Sequence, residues 1–180
     1  MACYQGARRE EIGQLRLKDV REIDGIWCMT ITDEGDGKVK NAASLRTIPL
    51  HPKVVEEGFV RWRQHRKGAP DDYLFRELDR ETNTLRPMSL DGGGRLTESY
   101  SKRFSRVLRV KLGIMSKALV FHSFRHTWED AAEAAIIPQT HRRDLAGRSK
   151  AGDSQAVYGR GPSMKALHAS LATIDPLASG

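Results

Sequence analysis

The sequence predicts an α+β fold that is mainly α-helical, with a small antiparallel β-sheet near the N-terminus. Apolar residues recur at helical spacing over most of the chain, whereas residues 21–50 change to short apolar and β-branched runs around a glycine-rich turn. The length of 180 residues fits one domain with its own core. We therefore treat residues 1–180 as a single domain.

The N-terminal part is predicted to hold a helix, a small sheet and a second helix. Ile12, Leu15 and Val20 fall on one side of a helix over residues 1–20. The strands of a hairpin or a three-stranded meander are predicted at Ile23, residues 26–32 and residues 45–50. A continuous helix then runs from Pro52, a favoured first helical residue, toward Lys67.

The C-terminal part is predicted to be helical, after a polar loop over residues 79–94 whose glycine cluster is a flexible connection. Helices are expected over residues 97–112 with a core face and a basic face, from Ser123 to about residue 135, over residues 139–146 with Gly147 as cap, and briefly around Tyr158. A last amphipathic stretch, residues 164–174, packs either on its own core or on a neighbouring subunit. Residues 175–180 are expected to form a flexible tail.

The chain is basic, with 30 Lys and Arg residues against 23 Asp and Glu, a formal charge of +7 and a pI near 9.6. Such an excess favours a polyanion partner, most often nucleic acid, because neutralised phosphates release counterions. Cys3 and Cys28 show neither disulfide nor zinc-finger spacing, no secretory segment is visible, and no apolar run is long enough to span a membrane. We therefore expect a cytoplasmic, nucleoid-associated protein with no membrane partner.

The most informative stretch is VFHSFRHTW, residues 120–128. A helix that begins near Ser123 places His122 and Arg125 about one turn apart at the positive end of its dipole, which favours an anion such as phosphate. The alternative interpretation is structural: His122 caps the helix, the aromatic residues belong to the core and Arg125 is solvated. The stretch alone leaves both interpretations open.

Four motifs, in order along nearly the whole chain, resemble those of the catalytic domain of tyrosine recombinases, also called phage integrases. GARREEI, residues 6–12, resembles the first arginine box of that family, and KNAASLRTIPLHP, residues 40–52, resembles its lysine hairpin. HSFRH, residues 122–126, is similar to its HxxR box, and Tyr158 follows LAGRS, residues 145–149, where the nucleophile of the family lies. The resemblance implies the fold of DNA breaking-rejoining enzymes.

The resemblance also implies a role for each residue. Tyr158 attacks the scissile phosphate and forms a covalent 3′-phosphotyrosine, which conserves the bond energy without a cofactor. Arg8 and Arg125 bind the non-bridging oxygens, because a guanidinium is planar and permanently charged. Lys40 protonates the leaving 5′ oxygen, and His122 accepts the tyrosine proton or binds a phosphate oxygen. Glu11 supports the arginine box.

At one position the chain departs from the family pattern. Arg148 stands where the family usually has histidine or tryptophan, and an arginine donates to a phosphate oxygen but cannot share a proton. Lys38 is a rival for the role of Lys40, because the two lie on one face of a strand. His126 suggests a metal, but no HExxH motif, third ligand or carboxylate cluster accompanies it.

The sequence therefore predicts site-specific DNA recombination or integration, with no cofactor and no metal. The expected site residues are Arg8, Lys40, His122, Arg125, Arg148 and Tyr158. We expect double-stranded DNA as partner, DNA-dependent homo-oligomers, the absence of an upstream DNA-clamping domain, and a place on a mobile genetic element. The alternatives are a basic DNA-binding module of the same fold with weak or no catalysis, a type IB topoisomerase, and a purely structural role for these residues.

Overall fold

The computed structural model describes residues 1–34, 44–79, 81–148 and 161–178. Its helices are α1 (Ala2–Gln5), α2 (Arg9–Gly13), α3 (Pro52–Glu56), α4 (Phe59–His65), α5 (Glu98–Arg106), α6 (Ser123–Ala134), α7 (Gln139–Ala146) and α8 (Met164–Ala172). Its strands are β1 (Val20–Ile23), β2 (Ile26–Ile31), β3 (Arg46–Pro49), β4 (Arg76–Leu78) and β5 (Leu85–Pro87). The fold is mixed and mostly helical with small antiparallel sheets, which confirms the predicted fold class at that level.

The first sheet has the strand order β1-β2-β3 and is antiparallel throughout, so the predicted meander is confirmed. Asp24 and Gly25 join β1 to β2 with φ angles of 49° and 77°, the pair of left-handed residues that a tight hairpin turn requires. Val20 pairs with Met29, which in turn pairs with Ile48. All three side chains are buried, so this face of the sheet lies against the hydrophobic core.

The helix predicted over residues 1–20 is wrong. The chain instead forms α1 and α2, a 3₁₀ turn at Leu17–Asp19 and the start of β1 at Val20. The first break falls at Gly6, whose φ of +58° is available to glycine without steric cost. A Cβ at Gly6 would lie 2.5 Å from Cδ2 of Trp128. The chain therefore approaches the buried indole closely only because this residue has no side chain.

Two further predictions are corrected by the structure. The helix predicted from Pro52 toward Lys67 is two helices, α3 and α4, because Gly58 separates them with a φ of +86°. The predicted polar loop over residues 79–94 contains β5, which pairs with β4 in a second, two-stranded sheet. Every residue of β5 is exposed. The strand therefore lacks the alternation of buried and exposed residues by which a half-buried strand is predicted from sequence.

The helices on either side of Pro138 are close to the predicted ones. α6 begins at Ser123, and α7 ends at Ala146 with Gly147 as its left-handed C-terminal cap. Trp128 on α6 is fully buried at the centre of the core. None of the helices in the described ranges has the length and apolar character that crossing a membrane requires.

The helix predicted over residues 97–112 is present as α5, continued by a π-helical segment at Val107–Lys111. Its predicted core face is only partly correct. No residue of α5 is buried and Tyr100 is 51% exposed, whereas Leu108 in the π-helical segment is buried.

An aromatic cluster connects α5 to the start of α6. Phe104 on α5 lies 5.5 Å from Phe121 and 5.7 Å from Phe124 between ring centroids. Tyr100 also contacts Phe121, edge to face at 5.6 Å. These contacts hold α5 beside the segment that carries the HxxR-like box.

The last amphipathic stretch packs on its own molecule, which is one of the two predicted arrangements. Leu167, Leu171 and Ile174 are buried in the hydrophobic core. The ring Nε2 of His51 lies 2.9 Å from the backbone oxygen of Ile174, and Pro176 beyond α8 is buried. α8 therefore fastens the C-terminal part of the chain to the first sheet and α3.

Candidate functional site

Three arginines from distant parts of the chain converge on the C-terminal end of α7. Each donates a hydrogen bond to one of three successive backbone oxygens: Arg46 Nε to Leu145 at 3.0 Å, Arg125 Nη2 to Ala146 at 2.7 Å, and Arg8 Nη2 to Gly147 at 3.3 Å. The last carbonyls of a helix lack intrahelical partners and form the negative end of its dipole, so cations are favoured there. The end of α7 thus arranges three guanidinium groups in order.

Gly147 is the residue that makes this arrangement possible. It adopts φ 63° and ψ 52°, a left-handed conformation that turns the chain away from the axis of α7. A Cβ at this position would lie 2.3 Å from Nη1 of Arg46. The backbone conformation therefore favours a glycine, and any side chain here would displace the guanidinium of Arg46.

The buried carboxylate of Glu11 connects Arg8 to Arg46. Arg46 donates Nη1 to Oε1 at 3.2 Å and Nη2 to Oε2 at 3.0 Å, the bidentate geometry that suits a guanidinium. Arg8 donates its backbone N–H to Oε2 at 2.8 Å and Nη1 to Oε1 at 2.5 Å. Burial alone raises the pKa of Glu11, but the hydrogen bonds and charges of Arg46 and Arg8 outweigh burial and hold the pKa below its usual value. Glu11 is therefore ionised and fixes both arginines.

Arg125 is the most deeply placed arginine of the predicted set. It is 6% exposed and donates Nη1 to the backbone oxygen of Gly6 at 2.5 Å. Burial, and then the positive charge of Arg8, lower its pKa to about 10. Arg125 thus stays charged at neutral pH, although the nearby positive charge opposes this. A bound anion between such groups would relieve that repulsion.

Glu129 joins a fourth arginine to the cluster. Its Oε1 accepts hydrogen bonds from Nε of Arg148 at 3.0 Å and lies 2.8 Å from Nη2 of the same guanidinium. The same oxygen lies 3.8 Å from Nη2 of Arg125, one helical turn earlier on α6. Arg148 is the most accessible member, with 58% of its side chain exposed. The cluster therefore extends from a buried arginine to one at the surface.

A cleft of about 590 Å³ lies beside this cluster. Its lining includes Arg8, Glu11 and His122, with Arg9 and Arg95 adding positive charge. His122 stands immediately before α6. Arg8 and His122, which the sequence places 114 positions apart, thus line one space large enough for a phosphate group.

α2 contributes two adjacent carboxylates to the lining of the cleft, and they bind different partners. Glu11 binds the arginines, whereas Glu10 Oε1 accepts the backbone N–H of Leu96 at 2.6 Å and that of Thr97 at 3.2 Å. The hydroxyl of Thr97 also donates to Glu10. These bonds anchor the N-terminus of α5, where negative charge is favoured.

The structure brings together the predicted site residues that it describes. Arg8, Arg125 and Arg148 are connected through the end of α7 and through Glu129, and Arg8 shares the cleft with His122. Lys40, its rival Lys38, and Tyr158 with the helical turn predicted around it lie outside the described residues. The chemical role of each residue remains a prediction.

Two residues of the cluster had no role assigned from the sequence. Arg46 lies in the lysine-hairpin motif, but only the folded structure places its side chain on Glu11 and Leu145. Glu129 follows Arg125 at i,i+4 spacing, a signal for a helical ion pair. That spacing is common on helix surfaces, so it did not single Glu129 out.

His126 contacts His122 edge to face, with ring centroids 5.1 Å apart. Within the described ranges, no group of three or more His, Cys, Asp or Glu side chains is arranged to hold a metal ion. The two histidines thus form a ring contact, and one of them, His122, lines the cleft.

No protein-family model matches this chain, and no curated protein sequence matches it. Among solved structures, the chain is similar to the XerH site-specific recombinase, in the crystal structure of its pre-cleavage complex with the difH substrate. The two are 18% identical with a TM-score of 0.47. The match covers 96% of this chain and 40% of the recombinase chain, so the chain spans less than half the length of that protein.

Proposed function

We propose that this chain carries the catalytic site of a site-specific DNA recombinase or integrase, which cleaves and rejoins strands through a covalent 3′-phosphotyrosine. Tyr158 is the nucleophile, Lys40 the general acid, and Arg8, His122, Arg125 and Arg148 surround the scissile phosphate. The motif order in the sequence supports these roles. Double-stranded DNA is the proposed partner, in the nucleoid of the cytoplasm and on a mobile element, with DNA-dependent homo-oligomers as the working assembly.

The observation that carries the proposal is that Arg8 lines one cleft with His122 and shares the end of α7 with the buried Arg125. Bringing like charges together and burying one of them costs free energy, as the pKa of about 10 at Arg125 indicates. Perturbed groups of this kind cluster at functional sites. The side chain of Arg8 remains 22% exposed, and it lines the cleft, which leaves it able to meet a phosphate.

The proposed reaction balances without a cofactor. The oxygen of Tyr158 attacks phosphorus, and its proton passes to His122 or to solvent. The bond to the 5′ oxygen breaks, and Lys40 supplies the proton for that leaving oxygen. The arginines stabilise the charge on the non-bridging oxygens, and each such donor contributes about 3 kcal/mol in comparable sites. Attack by a 5′ hydroxyl on the phosphotyrosine reverses the sequence and rejoins a strand.

Exposed basic residues near the cleft supply a surface for the DNA backbone. Lys102, Arg103 and Arg106 are exposed on α5, and Arg95 lies just before it. α5 is held beside the cleft through Glu10 and through the aromatic cluster at its other side. We therefore propose that the DNA backbone contacts these residues of α5 and reaches the cleft at Arg95, which lines it.

A second function is favoured by a specific observation. Both terminal nitrogens of Arg125 donate to backbone oxygens, and Arg148 is engaged by Glu129. A cluster used only to hold the fold together would show the same bonds. The second candidate is therefore a basic DNA-binding module of the same fold with weak or no catalysis.

A covalent-trapping experiment separates the two functions. The protein is incubated with nicked suicide DNA substrates, including the native flanks of its gene, and adducts are identified by denaturing gel and peptide mapping. We expect an adduct that survives EDTA and disappears with Tyr158→Phe. Tyr100→Phe, which removes a hydroxyl from the half-exposed tyrosine of α5, is the matched control and should still form the adduct. Salt-sensitive DNA binding without an adduct on any substrate would favour the binding module.

A further inference from the structure

We infer that Glu129 is a positioning residue that holds the guanidinium of Arg148 next to that of Arg125, so that both meet the same phosphate. The inference rests on the proposed function, which assigns no role to Glu129. It concerns a residue outside the four motifs of the sequence. Its substrate class is the phosphodiester of DNA.

The contacts of one oxygen carry the inference. Oε1 of Glu129 accepts from Nε of Arg148 at 3.0 Å and lies 2.8 Å from its Nη2, so it binds the side edge of the guanidinium. The same oxygen lies 3.8 Å from Nη2 of Arg125. One carboxylate oxygen thus hydrogen-bonds Arg148 and forms a longer ion pair with Arg125, and 18% of the Glu129 side chain is exposed.

The pairing leaves Arg148 able to bind a phosphate. Glu129 engages Nε and Nη2, and among the described residues no hydrogen bond from Nη1 of Arg148 is found. A guanidinium has five donors and binds anions along more than one edge. Arg148 can therefore keep its carboxylate partner on the side edge while its end faces the phosphate.

The Glu129–Arg148 ion pair is not explained by its contribution to folding stability. More than half of the Arg148 side chain is exposed, and ion pairs at exposed sites contribute little to folding stability. A long, exposed arginine without a partner samples many rotamers, and ordering it on binding has an entropic cost. Glu129 orders the side chain of Arg148 before DNA binds. The guanidinium is then already in place when the phosphate enters the site.

The positive charges around Arg125 give a second reason to assign Glu129 a positioning role. Arg125 already lies within the repulsive field of Arg8 and Arg46, while Glu11 and Glu129 act in the opposite direction. Without Glu129, a fourth guanidinium would be repelled from this position. Arg148 stands where the resembled family usually has histidine or tryptophan, so this chain has a permanent positive charge there, which the carboxylate of Glu129 offsets.

The test uses Glu129→Gln, Arg148→Lys and the double variant in the full chain. Glu129→Gln keeps the size of the side chain and removes its charge. Glu133→Gln is the matched control: Glu133 lies one turn further along α6 and also pairs with an arginine, Arg142, at 3.5 Å, but 79% of its side chain is exposed. Thermal unfolding checks that every variant is folded.

Two measurements are made on each variant. The first is the Nε–H resonance of Arg148 by NMR without DNA, which we expect to be protected in the parent protein and in Glu133→Gln but lost in Glu129→Gln. The second is adduct formation on the suicide substrate, separated into the rate at saturating DNA and the DNA affinity. We expect Glu129→Gln to lower the rate about 10- to 100-fold, the range found when residues that orient metal ligands are replaced. The DNA affinity should change less than about twofold.

The outcomes distinguish this inference from the proposed function. Glu129→Gln combined with Arg148→Lys should react no more slowly than Arg148→Lys alone, because the carboxylate acts through that arginine. Normal cleavage by Glu129→Gln, retained protection of Arg148, or additive losses in the double variant would each overturn the inference and leave the proposed function intact. The absence of any adduct from the parent protein overturns the proposed function, and this role of Glu129 with it.

Discussion

Gly147 shows at the scale of one residue how the candidate site depends on backbone conformation. It ends α7 in the left-handed region, and the guanidinium of Arg46 occupies the space where a side chain would begin. Arg46 in turn holds the buried Glu11 in a bidentate pair. A change at Gly147 therefore affects two residues that the site needs for its geometry.

We predict that Gly147→Ala lowers the free energy of unfolding by about 3 kcal/mol, from the left-handed penalty together with weakened charged hydrogen bonds at Glu11. Gly25→Ala is the matched control, because Gly25 has a φ of +77° but no atom within 4 Å of the added Cβ. It should lose only about 1 kcal/mol. Urea denaturation measures both values, and equal losses would contradict the collision with Arg46.

His51 shows a similar dependence at the scale of elements, because its ring joins the start of α3 to the end of α8. Nδ1 accepts the backbone N–H of Lys53 at 3.0 Å, so the neutral ring carries its proton on Nε2 and donates it to Ile174 O at 2.9 Å. Burial lowers the pKa of His51 from 6.5, although the bond to Ile174 acts in the opposite direction. A second proton would be placed on Nδ1, against the N–H of Lys53.

This geometry predicts a loss of stability in weak acid. Because the pKa in the folded state is lowered, the contribution of His51 is present above pH 6.5 and is lost as the pH falls through the folded-state pKa. His51→Asn, which caps a helix without titrating, should reduce the loss in unfolding free energy between pH 7 and pH 5. His65→Asn, at an exposed histidine of α4, is the control and should keep the parent slope.

Glu11, whose pKa is also shifted, does not account for a loss of stability between pH 7 and pH 5. The pKa of Glu11 is lowered from 4.5, so its contribution is present above that value and is lost only at lower pH. A profile of His51→Asn that matches the parent between pH 7 and pH 5 would refute the assignment to His51.

The sequence could predict the helices and strands whose ends are marked by proline, glycine or turn residues. α7 lies between Pro138 and Gly147, and the meander follows from its β-branched runs and turn residues. The helix predicted over residues 1–20 was wrong because the break at Gly6 depends on the contact of Gly6 with Trp128. The two residues are distant in sequence, and helical periodicity carries no information about such a contact. Ile136 is a comparable case: its φ of +54° places a β-branched residue in the left-handed region after α6, against its own preference.

At the scale of the whole molecule, three arginines from two distant parts of the chain, Arg8, Arg9 and Arg95, line one cleft together with His122. The sequence could indicate Arg8, His122, Arg125 and Arg148 because each lies in a recognisable motif. It could not indicate the shared end of α7 or the two carboxylates that hold the arginines, because those contacts join segments about 20 to 140 residues apart. Residue types were therefore predictable from the sequence, whereas their mutual arrangement required the fold.

The proposed DNA contact at Arg8 predicts a change in salt dependence. Arg8→Gln should reduce the steepness of log K against log salt for duplex DNA by about 1, because one fewer counterion is released. Lys18→Gln is the control, since two carboxylates, Glu34 and Asp71, each lie 2.8 Å from Nζ of Lys18. A titration by fluorescence anisotropy at several salt concentrations measures the slopes. Equal slopes for the parent protein and Arg8→Gln would argue against a phosphate contact at Arg8.

The three carbonyls at the end of α7 also determine when the site appears during folding. Arg8 lies 139 positions from Gly147, and Arg46 lies 99 positions from Leu145. Contacts of such separation form only after long loops have closed, so they report completed folding. A chain still being synthesised carries its arginines as separate exposed charges, and it acquires a concentrated cationic site only when residues 145–147 are made and folded.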